Sequence, residues 1–154
     1  MLLYPEQYPP ADVEALLLGL ERFALRGAPS GLRAESAIRL ATPATRSAPR
    51  PLPRVLPRLV RIYRNSEDPH VRSSVLGALG HLITDRAEAV AFLERAAAEE
   101  RDDFAAQKAL MSLLLQGEEA RAALQRLYAA EAVQTPEARA ILAGMARNGF
   151  RRTQ

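Results

Sequence analysis

Between Pro51 and Leu82 the chain reads PLPRVLPRLVRIYRNSEDPHVRSSVLGALGHL, two short apolar-striped segments separated by a polar turn. No other stretch constrains the fold as strongly. Helical periodicity places Leu52, Val55, Leu56, Leu59, Val60 and Tyr63 on one face of a first helix, and Val71, Val75, Ala78, Leu79 and Leu82 on one face of a second. Neither helix can bury its apolar stripe alone, so the two must face each other as an antiparallel pair. Asp68 stands where a cap would stand, and Pro69 follows at the first helical position, where a missing amide hydrogen costs nothing. Asp68 and Arg72, four residues apart, are also spaced to pair.

The rest of the chain varies this theme. Val13, Leu16, Leu17, Leu20, Phe23 and Ala24 trace a helix that Gly27 should stop, with Asp12 and Glu14 in its first turn and Arg22 and Arg26 in its last, as the helix dipole favours. Ser30 is placed to cap a second helix from Leu32 to about Ala41, worth on the order of 1 kcal/mol over alanine. Further on, Asp85 and Glu88 are spaced as a capping box before Ala89, Val90, Leu93 and Ala97, and Glu99 to Asp102 make a turn. A helix from Asp103 to Leu115 rests on Ala106, Ala109, Leu110 and Leu113. A last pair sets Ala120, Ala123, Leu124, Leu127 and Tyr128 against a helix opening at Thr135-Pro136, which repeats the Asp68-Pro69 cap chemistry. Helix pairs recurring at this period predict an all-α fold, a short α-solenoid of four antiparallel pairs over residues 11–41, 52–82, 85–115 and 118–147. Residues 1–10, with three prolines, form an arm placed to cap the open end of the stack, and the Pro/Arg-rich 42–51 is the one long connection.

The central pair resembles a HEAT repeat in its Pro57 within the first helix, its Asp68-Pro69 turn, its Val71-Arg72 and its small, leucine-rich second helix. The third unit departs from that pattern by carrying Asp103 and Phe104 where Val-Arg would stand. The resemblance implies a binding scaffold without a reaction of its own, and a structural role for Asp68 and Arg72 in tying one repeat to the next. It points to a non-enzymatic adaptor or small subunit that binds another protein. HEAT-like DNA glycosylases and bilin lyases share such a fold, but the former lean on tryptophans that this chain lacks, and nothing here marks a bilin site.

The composition narrows function further. With no cysteine there is no disulfide framework, thiolate nucleophile or cysteine zinc site. His70 and His81 are eleven apart, three helical turns, too far to share a metal unaided. No glycine-rich phosphate loop or nucleophile motif occurs, so no catalytic residue, metal or cofactor is assigned. The acidic runs Glu99-Glu100 and Asp102-Asp103 read as solvated turn and cap residues. The N-terminus lacks a basic region followed by an apolar run, and no stretch is long enough to span a bilayer, which makes the cytoplasm the expected compartment.

Two candidate surfaces remain. From Arg22 to Arg64 there are ten arginines and one acid, Glu35, whereas residues 65–139 hold thirteen acids and eight bases. Within the basic half, Arg50, Arg54, Arg58 and Arg61 line the helix face opposite Leu52, Leu56, Leu59 and Tyr63, and Arg46 precedes them in the connection. This stripe reads either as a face for an anionic partner, an acidic protein, a nucleic-acid backbone or a phosphate headgroup, or as a solvated exterior. The second candidate is apolar: Phe104, Met111 and Leu115 project away from the Ala106, Leu110 and Leu113 face, either into plain packing or as a partner-binding patch.

Overall fold

The structure is a computed structural model that describes residues 10–26, 29–41 and 55–151. The expected arm before Pro10, the Gly27 stop, the 42–51 connection, Leu52, and Arg46, Arg50 and Arg54 lie outside those residues. Among the described residues there are eight helices and no strand: α1 (Pro10–Leu25), α2 (Ser30–Ala41), α3 (Val55–Arg64), α4 (Pro69–Leu79), α5 (Arg86–Glu99), α6 (Asp103–Leu115), α7 (Glu118–Ala129) and α8 (Pro136–Arg147). Successive helices pair antiparallel and the pairs stack, so the all-α solenoid expected from the periodicity is the architecture observed.

One continuous core runs through the stack, from Val13 and Leu17 through Leu59, Leu76, Leu93 and Leu110 to Leu124 and Leu142. The even-numbered helices form one layer and the odd-numbered helices the other. From α2 through α6 the even layer is the more closely packed along the stack, which makes it the concave side. Small residues permit that closeness. A side chain on Gly80 would begin 2.8 Å from the Ser112 backbone, so only glycine lets α4 and α6 approach there. Gln116 then binds the end of α4 from the neighbouring pair: its Nε2 donates to the carbonyls of Leu79, Gly80 and Leu82 at 3.0, 3.1 and 3.2 Å, and its Oε1 accepts from Arg86.

Local chemistry explains where the helices start. Asp68 caps α4, accepting from the His70 amide at 2.9 Å with Pro69 in the first turn, as its sequence predicts. Asp102 likewise caps α6 through the Ala105 amide. Other expected caps are corrected. Asp85 sits in the left-handed region at φ 52° and makes no side-chain capping bond, so no capping box forms with Glu88. Ser30 is itself the first residue of α2; its hydroxyl and the His70 amide hold the Asp68 carboxyl below its ordinary value. Thr135 makes no side-chain capping bond either. Its place is taken from the preceding pair by Asp103, whose Oδ1 accepts from the Ala138 amide at 3.1 Å while Gln107 donates to Oδ2.

Candidate partner-binding surface

Arginine at the fourth position of an even-numbered helix recurs as Arg33, Arg72 and Arg139. Each guanidinium turns back onto carbonyls that precede its own helix: Arg33 Nε to Ala24 at 2.9 Å, Arg72 Nη1 to Glu67 at 3.0 Å, Arg139 Nη2 to Gln134 at 3.3 Å. Arg33 also reaches the Ser66 hydroxyl, and Arg72 reaches Glu100 at 2.9 Å, so the first two rungs extend into the next pair. Arg72 thus ties one pair to the next as expected, but through Glu100 and not Asp68. Glu100 is buried and also accepts from the Tyr63 hydroxyl at 2.6 Å, which corrects its reading as a solvated turn residue. Burial and the bond to Glu100 push the Tyr63 phenol well above its ordinary value. In α6 the fourth residue is Ala106, and at that seam the turns leave an open groove of about 770 Å3 lined by Ala98, Glu99, Arg101, Gln134, Thr135 and Pro136.

The expected arginine face is corrected in part. Arg58 is only 7% exposed. Its Nη1 meets Glu21 at 2.9 Å and its Nη2 meets Glu14, both carboxylates coming from α1. The helical wheel put Arg58 opposite its own helix's apolar stripe, but a helix inside a stack is covered on a second side, here by α1. Arg61 does face solvent, with Nη1 paired to Glu21 at 2.9 Å. Both described members of the stripe therefore pair with one buried acid, Glu21, which the sequence reading did not single out. Its signal was present: Glu14 and Glu21, seven apart, interrupt the otherwise apolar α1 on one face.

The apolar candidate is differently placed. Ala105, Ala106, Ala109, Leu110 and Leu113 take up the buried side of α6, which leaves Phe104 55% and Met111 46% exposed on the concave layer, with Leu115 half-buried beside them. Lys108 falls in the same stripe, one turn after Phe104 and one before Met111. Its Nζ lies 5.7 Å from the Phe104 ring centroid, and its stem covers Gly77 of α4, where a side chain would begin 3.3 Å from the lysine Cδ. The patch is therefore an aromatic ring, a thioether and an alkyl stem carrying one positive charge, held on a rigid helix. Because Phe104 and Met111 are already about half buried, covering the rest under a partner is worth roughly 1 kcal/mol each, about half of what full burial of such a side chain contributes, and places them as its anchors.

No helix among the described residues is long and apolar enough to cross a membrane. A family model of HEAT repeats matches residues 19–114. No curated protein and no solved structure matches the chain.

Proposed function

Because the chain belongs to the HEAT-repeat family, whose repeats are generally protein-interaction scaffolds, we propose that it is a non-enzymatic adaptor docking one partner protein on the concave face of α6. The observation that carries this reading is the exposure of Phe104 and Met111 in one stripe on an otherwise well-buried helix. Such a stripe suits the apolar face of a partner helix laid across the concave layer, with the alkyl stem of Lys108 as part of the seat. Its ammonium adds a preference for an acidic residue on the partner. The exposed Arg61 contributes to steering, with part of its charge already answered by Glu21. A nucleic-acid backbone would draw on the same arginines, and the engagement of Arg58 and Arg61 with Glu21 weighs against it.

Affinity capture from the native host, with nuclease and at two salt concentrations, tests the reading. A stoichiometric protein is expected from the wild-type chain and not from the Phe104→Asp, Met111→Asp double variant, whose circular dichroism should be unchanged. Equal retention by both would remove the α6 face from the function. Recovery of nucleic acid alone, lost as salt rises, would replace the adaptor by a phosphate-binding protein.

A further inference from the structure

Among the described residues, the two ends of the stack are finished differently. At the C-terminal end Phe150 folds back edge-on to Tyr128, ring centroids 6.3 Å apart, and packs on the core. At the N-terminal end α1 turns an apolar stripe outward. Glu14 and Glu21 point toward α3, since both meet Arg58. Leu16 and Phe23 each lie two residues further on, about 200° around the helix, on the side turned away from the stack. They are 38% and 45% exposed, and Leu32 is exposed on α2 of the same pair.

The stripe has an internal order that a simple end face does not require. Asp12, Leu16, Gly19, Phe23 and Arg26 follow one another at intervals of four, three, four and three residues, the spacing of a heptad seam, and all five are exposed. Gly19 stands at the centre, with nothing within 4 Å of where a side chain would begin. Asp12 and Arg26 stand seven residues to either side of it, and neither takes part in an ion pair among the described residues. Inverting the helix about Gly19 exchanges the two charges and roughly superposes Leu16 on Phe23.

We propose that this seam is a self-association surface, on which two copies pack their α1 helices antiparallel about a two-fold axis through Gly19. Leu16 and Phe23 of both copies are then buried, and Asp12 of each copy faces Arg26 of the other. The charges select the orientation: parallel packing would set Asp12 on Asp12 and Arg26 on Arg26. A foreign helix could use the apolar stripe but has no need of charges placed symmetrically about its centre, which is why a second copy is the occupant that fits.

Sedimentation equilibrium of the full chain over a range of concentrations tests this. The expected result is a reversible dimer. Gly19→Arg, at a position with open space around it, sets two like charges on the axis and should weaken the dimer at least tenfold. Asp12→Arg and Arg26→Asp should each weaken it about tenfold, and the two together should restore it. This charge exchange carries the test if Gly19→Arg disturbs folding, which circular dichroism reports. A full chain that is monomeric at every concentration overturns the proposal; if removing residues 1–9 then yields a dimer, those residues are the occupant of the face. A dimer indifferent to the charge exchange overturns it too, since the contact then lies elsewhere.

Discussion

The first and third seams join helix pairs of the same kind, yet they use charge in opposite ways. Between the first and second pairs, Arg58 is enclosed by Glu14 and Glu21 with almost no access to water. Between the third and fourth, Glu94 and Arg126 meet bidentately at 2.8 and 2.7 Å but on an exposed surface, and Asp103 binds a helix end. An ion pair's geometry is thus a poor guide to its weight. Where water is excluded, losing one partner strands a charge in a medium that cannot solvate it; where water remains, the solvent takes the missing partner's place.

Removing Arg58 should have the largest effect. Arg58→Ala leaves Glu21 buried without its main partner, and urea unfolding should show a loss of roughly 3–5 kcal/mol. Replacing Arg58 and Glu21 together by methionine should recover most of it, because no charge is then left uncompensated. If the double replacement is as damaging as the single one, the first seam depends on the ion pair itself and the contrast between the seams is wrong. For the same reason, reversing Arg58 to Glu would set a third carboxylate beside Glu14 and Glu21 and cannot serve as a neutral surface change.

The middle seam should give an intermediate effect. Tyr63→Phe removes the bond to Glu100 and should cost about 1 kcal/mol near neutral pH. Its pH dependence sharpens the comparison. The folded phenol is raised above its ordinary 10.0, so its contribution is intact below that value and is lost as pH rises toward the folded one. Wild-type stability should therefore fall more steeply above pH 10.0 than that of Tyr63→Phe, as followed by thermal unfolding at a series of alkaline pH values.

The smallest effect belongs to the third seam. The Thr135 hydroxyl first, then Gln107 and the Ala138 amide, hold the Asp103 carboxyl below its ordinary 3.8. A depressed carboxyl contributes above its unfolded value and loses that contribution as pH falls through the folded one. Asp103→Asn should accordingly lower the thermal midpoint slightly at neutral pH, with the difference closing below pH 3.8. Glu94→Ala, the exposed counterpart of the Arg58 substitution, should leave the midpoint where it was. A large change there would erase the distinction between the seams.

Periodicity alone determined the pairs of antiparallel helices, because an apolar stripe recurring at helical spacing has only one way to leave water, against another such stripe. It also determined the Asp68-Pro69 helix start, whose atoms all lie within a few residues, and the direction of Phe104 and Met111, which the crowded opposite side of α6 leaves no other way to point. Only the stack decided the rest. Whether Arg58 meets solvent depends on α1, which covers it from the preceding pair, and a helical wheel drawn for one helix does not contain its neighbours. Glu100 became a buried clamp, Gln116 a cap for α4 and Asp103 a cap for α8 for the same reason: their partners stand some 20 to 40 residues away in the sequence. Local spacing fixes what a residue shares with its own helix; which surface water can reach is a property of the helices packed around it.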